Sequence, residues 1–520
     1  MPHLPLILMD YLVSHIKFSD VAVALLGLFV FSCIIQKVTN KGPMLWPVMG
    51  IIPTVFFHFN HTYEWVTEAL IRSGGTFYYR GMWMGNAYGI ITVDPSKLEY
   101  MLKTRFTNFP KGKYYRDRFF DLLGDGIFNA DGDTWKEQRR AATLEMHSSR
   151  FVEYSFQTIQ ELVHIKLLKL IEKLVISKES IDLQDVFLRF TFDNVCTAAF
   201  GVDPGCLSID LPDVPLAKAF ERATELTLFR FTVPPFIWKA MKLFCFGSEK
   251  ELKKAVGVVH KFADKAVCNR RTECYKSGSL SDRSDLLSRL TELRDVNRPT
   301  KYKFSERFLR DFCISFILAG RDTSSVALAW FFWLLSKNPQ VEFKILNEIN
   351  EILSHRKSKN EIMDVVFTLD ELKQMEHLQA ALSESLRLYP SVPLDLKEVQ
   401  EDDFFPDGTM VKKGSRVLYS IYSMARIDGI WGKDCKEYRP ERWIKDGKFV
   451  SENQFKYAVF NAGPRLCVGK RFAYLQMKMV AASVLLRYSV DVVKGQDVAP
   501  KLTTTLYMKK GLVVNFKPRE

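Results

Sequence analysis

Apolar positions along this chain gather into a few long blocks of different period, and each predicts an element. The first is Val21–Ile35, VAVALLGLFVFSCII, with no charge inside it; Asp20 precedes it, and Lys37 and Lys41 follow. A full span takes about 20 apolar residues, and flanking polar side chains can reach the interface to complete a shorter one. A cleaved secretory signal carries basic residues ahead of its core and a small-residue cleavage site behind it. Here that site is missing and lysines follow, so the pattern predicts a retained anchor over residues 1–36 with its core at 21–35. The lysines place the bulk of the chain on the cytosolic side. A buried core helix is the alternative.

The second block runs from Ser305 to Ser336 and is closed by Asn338-Pro339, with Ser305 as N-cap. It is apolar nearly all round, which means a buried core helix or a span. Its centre reads Gly320, Arg321, Asp322, Thr323, Ser324, Ser325, a group that is costly in lipid. The spacing therefore predicts a helix crossing the protein core with a polar break. Gly320 weakens it there and lets another group approach. The hydroxyls either hold water and pass protons or simply bond back to the helix. The third block begins at Lys470, where Phe472, Leu475, Met479, Ala482 and Leu486 fall near a 3.6-residue spacing.

Helical patterns dominate from Tyr114 to Pro390, and strand-like pieces cluster near Thr76–Val93, Thr409–Leu418 and the C-terminus. The fold class is mainly α with small β-sheets. Lys41–Gly50, with two prolines and two glycines, reads as a stiff linker. Residues 274–305 are the most polar region and read as an exposed connection with a short helix.

Composition narrows the function. The 520 residues are 47% hydrophobic and 26% charged, enough for a large core. Nine scattered cysteines without a C-x-x-C pair suggest neither a disulfide framework nor a zinc ribbon, which fits a reducing compartment. A net charge of +13 suits an acidic partner or anionic lipid. With no long basic run and no RNA- or DNA-binding motif, nucleic acid is excluded as the partner. No G-x-G-x-x-G or G-x-x-x-x-G-K-[ST] loop is present, so redox chemistry here imports its electrons.

The segment FNAGPRLCVG, Phe460–Gly469, sets Cys467 in a tight Gly/Pro/Arg loop before the third block. A helix N-terminus and Arg465 nearby favour a thiolate, which points to a metal ligand; a buried free thiol is the alternative. In ALSESLRLYP, Glu384 and Arg387 share a helix face. They form either an exposed pair or a buried one completed by Arg442 of YRPERW.

In that order these pieces resemble a cytochrome P450. Phe460, Gly463, Arg465, Cys467 and Gly469 fit F-x-x-G-x-R-x-C-x-G; AGRDTS, Ala319–Ser324, fits [AG]-G-x-[DE]-T-[TS]; Glu384 and Arg387 fit E-x-x-R; and Trp135 and Arg139 fit W-x-x-x-R. The resemblance covers the chain from anchor to C-terminus. It implies an anchor, a hinge at 37–50 and a catalytic domain at 51–520. Cys467 would be the thiolate ligand of haem iron, favouring O–O cleavage. Asp322 and Thr323 would deliver protons to bound dioxygen. Arg465, Trp135, Arg139 and Lys397 would meet the haem carboxylates beside Phe460, with lysine at 397 where arginine is the more familiar residue. Glu384, Arg387 and Arg442 would form a structural ion-pair triad.

The segments AGRDTSS, WGKDCKEYRPERW and LTTTLYMKKG are similar to those of the plant fatty-acid ω-hydroxylase group. This implies insertion of one oxygen of O2 at the terminal carbon of a long- or very-long-chain fatty acid, in cutin, suberin or wax metabolism. Electrons would come from NADPH through a separate membrane-bound cytochrome P450 reductase at the endoplasmic reticulum. Ala319 implies haem b held without a covalent link. Phe316, Ala319, Val392, Leu394 and Leu506 would line the substrate channel, apolar as an alkyl chain requires. The rival readings are another apolar substrate (an alkane, a terpenoid or an in-chain position), a peroxide-using isomerase, which Thr323 argues against, and a haem sensor without turnover.

Overall fold

The first apolar block forms helix α1, Phe18–Thr39, in the computed structural model, which describes residues 17–39, 41–82, 87–295, 298–302, 304–356 and 362–519. Asp20 in its first turn and Lys37 in its last complement the helix dipole. Helical geometry thus extends beyond the 21–35 core at both ends. Phe18–Val38 has mean hydropathy 2.3 and no buried share, and is long enough to cross a membrane. The helix also runs into the region read as hinge. That segment then closes on itself: the Trp46 and Gly50 amides each donate to the other's carbonyl, at 2.8 and 2.7 Å.

The body is built around helices, which chain order numbers α2 (Thr62–Arg72), α3 (Gly112–Leu123), α4 (Gly132–Met146), α5 (Leu183–Phe200), α6 (Pro215–Thr232), α7 (Pro235–Leu243) and α8 (Gly247–Ser277). They continue with α9 (Glu306–Lys337), α10 (Pro339–Ser354), α11 (Glu376–Leu388) and α12 (Lys470–Arg487). Seven strands matter here: β1 (Thr76–Arg80), β2 (Tyr88–Thr92), β3 (Ile181–Asp182), β4 (Leu394–Glu398), β5 (Arg416–Ser420), β6 (Tyr488–Val492) and β7 (Val513–Pro518). One sheet has the order β1-β2-β5-β4, with β2 and β5 parallel and the other pairs antiparallel. A second has the order β6-β7-β3.

Helix α9 is the central element. Ser305 caps it by accepting from the Phe308 N–H at 3.1 Å, and 32 residues follow without interruption, including the polar centre. The helix runs on through that polar centre, where the hydroxyls bond back within it. Thr323 Oγ1 donates to the Ala319 carbonyl at 2.6 Å, and Ser325 Oγ reaches the Arg321 and Asp322 carbonyls at 3.0 Å each. Gly320 serves packing: a Cβ there would lie 2.6 Å from Val195 Cγ2 of α5. The polar stretch 274–305 also differs from expectation. Cys274 still belongs to α8, and a helix at Leu286–Glu292 buries Leu286, Leu287 and Leu290 in the core behind α9. Its three leucines recur at helical spacing inside a polar frame, so burial decides its place.

Candidate active site

The Cys467 loop is pressed against the turn at residues 100–104. Gly463 has φ +64°, and a Cβ there would sit 2.1 Å from the Leu102 carbonyl oxygen, so only glycine fits. The Cys467 amide donates to the Phe460 carbonyl at 2.8 Å, and Gly469 precedes α12 as its N-cap. Cys467 is exposed, yet protein encloses its other sides closely enough for burial to dominate its chemistry. Burial pushes the thiol up; the Gly469 N–H bonded to the sulfur and the charges of Arg139 and Lys470 oppose it without prevailing. The lowering expected from the helix start is therefore outweighed, and a thiolate here calls for a cation at the sulfur. The expected contribution of Arg465 is supplied instead by Arg139 and Lys470, because Arg465 turns elsewhere.

Arg465 donates to Asp131 Oδ1 at 2.6 Å and to the Ala130 carbonyl at 2.9 Å. Its guanidinium lies 4.5 Å from the Trp135 ring centre, and its Nε is buried without a partner among the described residues. Beside it is a buried cluster around Asp395. Lys111 Nζ reaches Oδ1 at 2.7 Å, Lys397 Nζ reaches Oδ2 at 2.9 Å, and the Tyr419 hydroxyl donates to Oδ2 at 2.6 Å. Strand alternation puts residues 395 and 397 on one face of β4, and register sets Tyr419 of β5 opposite Asp395. Burial works against the Asp395 carboxylate, but the two lysines hold it far below its usual range. The lysines part company. Lys111 stays raised by Asp395 against burial. Burial pushes Lys397 down to about 7, helped by repulsion from Lys111 and Arg465. Sequence reasoning missed Lys111 and Asp395, since the strand carrying Asp395 was not read; its signal is the two-residue step from Lys397.

Phe316, Ala319 and Thr323 are half-buried on α9, as are Leu318 and Gly320 between them, and Val392 and Leu394 are half-buried as well. Ser391 Oγ donates to the Thr323 carbonyl at 2.7 Å and joins the two segments. Leu506 differs: its side chain is fully buried in the main core, and its backbone accepts from Trp330 Nε1 at 2.6 Å. Core packing thus sets it apart from the other four candidates. Phe460 is half-buried, with its ring 5.3 Å from Tyr474 and 5.5 Å from Lys470 Nζ. Asp322 and Thr323 occupy neighbouring stripes of α9 with separate partners: Asp322 Oδ1 accepts from Arg321 at 3.0 Å, while the Thr323 hydroxyl stays on the Ala319 carbonyl.

Glu384 is fully buried and meets Arg387 at 2.8 and 2.9 Å and Arg442 Nε at 2.9 Å. The Arg439 amide and Trp443 Nε1 complete its acceptor set at 3.0 and 2.9 Å. Arg387 in turn donates to the carbonyls of Ala425, Cys435 and Glu437. One buried ion pair thereby fastens three segments of irregular chain to α11.

Comparison with known proteins gives the same frame. The family model described as "Cytochrome P450" matches residues 41–517. The protein named cytochrome P450 86B1 of Arabidopsis thaliana is 52% identical over 499 residues, covering 95% of this chain and 89% of the relative. Cytochrome P450 94A1 of Vicia sativa is 40% identical over 459 residues, 86% and 84% of the two chains. Noroxomaritidine synthase 1 of Narcissus pseudonarcissus is 33% identical over 515 residues, 98% of each. The resemblance to that family, and to its plant fatty-acid ω-hydroxylase group, is borne out. Family members carry haem b on a cysteine thiolate and receive electrons from NADPH through a reductase. The residues here fit such a group. They offer an exposed sulfur beside two cations, an unpartnered buried Arg465 N–H, and a cluster in which Lys111, Lys397 and Arg465 outnumber Asp131 and Asp395.

Proposed function

We propose a function from the premise that this chain belongs to the cytochrome P450 family and is a haem-thiolate monooxygenase. The reading is ω-hydroxylation of long- or very-long-chain fatty acids, in plant lipid metabolism of the cutin, suberin or wax type. When bound, haem supplies reduction of O2 and insertion of one oxygen atom into a C–H bond, the other oxygen leaving as water. Cys467 is the sulfur ligand, and the exposed, backbone-held thiol is the observation that carries the reading. Gly469, Arg139 and Lys470 balance charge at that sulfur. Arg465, Arg139 and Lys397 hold the haem carboxylates, with Trp135 stacked on Arg465 and Phe460 packed alongside. Thr323 and Asp322 hold and move protons on the other side of the site. Phe316, Ala319, Val392 and Leu394 give an alkyl chain an apolar wall. Alanine at 319 has no carboxylate with which to esterify haem, so haem is held non-covalently.

A redox partner, O2 and an apolar substrate follow from the family. The specific partner proposed is NADPH–cytochrome P450 reductase, met at the basic surface of a chain of charge +13. Helix α1 is the membrane anchor, and Lys37 behind it favours a single pass through the endoplasmic reticulum membrane with the body in the cytosol. The match to a relative named for noroxomaritidine synthesis keeps a second reading: the same chemistry on another apolar substrate.

The test is a carbon monoxide difference spectrum of reduced microsomes, then turnover with reductase, NADPH and fatty acids of graded length. The expected result is the haem-thiolate band together with terminal hydroxy acids. The band without fatty-acid products favours the second reading; no band in folded, haem-loaded protein removes Cys467 as ligand. Lowered cutin or suberin ω-hydroxy acids in a plant lacking the protein would support the metabolic role, and unchanged amounts would oppose it.

A further inference from the structure

Arg118 of α3 and Arg230 of α6 clasp each other across a seam: Arg118 Nε donates to the Arg230 carbonyl at 3.0 Å, and Arg230 Nη1 donates to the Arg118 carbonyl at 2.8 Å. They are 3% and 1% exposed, and a buried guanidinium is costly unless an anion meets it. Arg230 has its anions, Glu249 of α8 and Asp121, at 2.6 Å each. Arg118 has none among the described residues. Its Nη1 donates to the Tyr114 carbonyl at 2.8 Å, and its Nη2 makes no hydrogen bond among them. The nearby carboxylates are turned elsewhere: Asp117 to Lys113 at 3.1 Å, and Glu398 to the Tyr114 amide at 2.8 Å. The Tyr114 ring centre lies 3.5 Å from Arg118 Cζ and 3.8 Å from Arg416 Cζ of β5. Two guanidiniums that close to one ring stack on its opposite faces. Burial first, with Arg416 repelling it, pulls the Arg118 guanidinium below its usual range. An apolar path leads from there to the site. Phe231 lies 5.0 Å from Arg118 Cζ and packs on Phe119 and Tyr115 at 5.7 and 6.2 Å. Tyr115 in turn lies 4.5 Å from Lys111 Nζ of the Asp395 cluster, and Phe316 belongs to the same apolar cluster as these rings.

We propose that Arg118 binds the carboxylate of the acyl substrate, with Arg416 adding positive potential across the Tyr114 ring, so that the head group is fixed at the α3–α6 seam and the terminal methyl is left at the Ala319–Thr323 end. This rests on the reading of a fatty acid as substrate. The carboxylate accepts from Arg118 Nη2 and supplies the anion that the protein leaves out. The hydrocarbon runs along Phe231, Phe119 and Tyr115 toward Phe316. The clasp with Arg230, itself held by Glu249 and Asp121, keeps the Arg118 guanidinium in place before substrate arrives. Fixing one end of a flexible chain sets which carbon reaches the reacting centre at the other. An alkane or an ester leaves the buried charge of Arg118 unmet, so the same contact discriminates against both.

The experiment uses the haem-loaded full chain in detergent, at alkaline pH where a free fatty acid is ionised, with hexadecanoic acid and its methyl ester as probes. Binding is read from the change in the haem absorption spectrum on titration, and products from turnover with reductase and NADPH. In wild type the acid is expected to bind about tenfold more tightly than the ester, as a charge-assisted hydrogen bond requires. Arg118→Gln should erase that preference by weakening the acid alone, and should spread hydroxylation from the terminal carbon to its neighbours, since the register is no longer fixed. Arg118→Lys keeps the charge without the planar fork and should retain roughly a third of the preference; it carries the test if Arg118→Gln does not fold. A preference that survives unchanged in the folded variants overturns the proposal. So does equal weakening of acid and ester, which would leave Arg118 as a clasp for α6 alone. If wild type hydroxylates fatty acids without preferring acid to ester, the carboxylate site falls and the substrate reading stands. If neither probe is bound and no fatty acid of any length is hydroxylated, the substrate reading falls and the site with it.

Discussion

At the scale of single residues, Lys397 carries the sharpest prediction. It is fully buried, and its ammonium is pushed down to about 7 by burial although Asp395 pulls it up. Its folded pKa thus lies below the ordinary 10.5 of a lysine. Between those values the unfolded chain binds a proton that the folded chain lacks, so stability rises with pH across the window. The gain is complete above the unfolded value and is lost as pH falls through about 7. Lys397→Met removes this titration. In urea unfolding of haem-free protein, wild type should gain on the variant from pH 7 to pH 10 by at most about 1.4 kcal/mol per pH unit. A difference that stays flat with pH would show that Lys397 titrates normally. Residue identities at the site were largely legible, because Cys467, Trp135, Arg139 and Arg465 sit in spaced motifs. Their pairings were not: Asp131 is remote in sequence from Arg465, and Asp395 from Lys111, and only tertiary structure joins them.

At the scale of elements, α11 and the Cys467 loop depend on different physics. The Glu384 carboxylate carries two guanidiniums in a buried place, so Glu384→Gln leaves the buried Arg387 without its charge partner and Arg442 with Asp434 alone. That should cost about 3–5 kcal/mol in chemical denaturation. Arg442→Gln should cost less, since Arg442 is partly exposed and also meets Asp434 at 3.3 Å. The reverse order would mean that Glu384 is held mainly by Arg442. The loop depends on backbone space. Gly463→Ala drives a Cβ into the Leu102 carbonyl at a left-handed φ, which should displace the loop and lower haem occupancy, read as haem absorbance per protein, while far-ultraviolet circular dichroism stays constant. Wild-type occupancy would show that the loop yields at no cost. Helix α9 was legible in its cap and length, because Ser305 and Asn338-Pro339 are local signals. The state of its polar centre was not, because the same hydroxyls can hold water or bond back, and only the structure shows Thr323 and Ser325 bonding back. Strand β4 was missed for a related reason: Leu394, Asp395, Leu396, Lys397 and Glu398 alternate, but two of the five are buried charge-cluster members and blur the apolar face.

At the scale of the whole molecule, anchor and body are coupled weakly. Helix α1 exposes apolar side chains along its length and touches the linker: Phe29 lies 6.0 Å from Trp46, and the Leu45 amide donates to Gln36 Oε1 at 3.0 Å. The body, by contrast, is joined through α9, whose Phe312 and Trp330 belong to two different core clusters. Stability should therefore reside in the body, and membrane attachment in the helix. The uncharged run at residues 21–35 made an apolar N-terminal helix legible, but its length was not, because residues 18–20 and 36–39 are mixed in character and become helical by continuing the apolar core. Deleting residues 1–39 should release the chain from carbonate-washed membranes while leaving its thermal midpoint and its carbon monoxide band as in the full chain. If truncation instead abolished the band, α1 would be part of the fold that holds haem, and the exposed face it presents would need a protein partner rather than lipid.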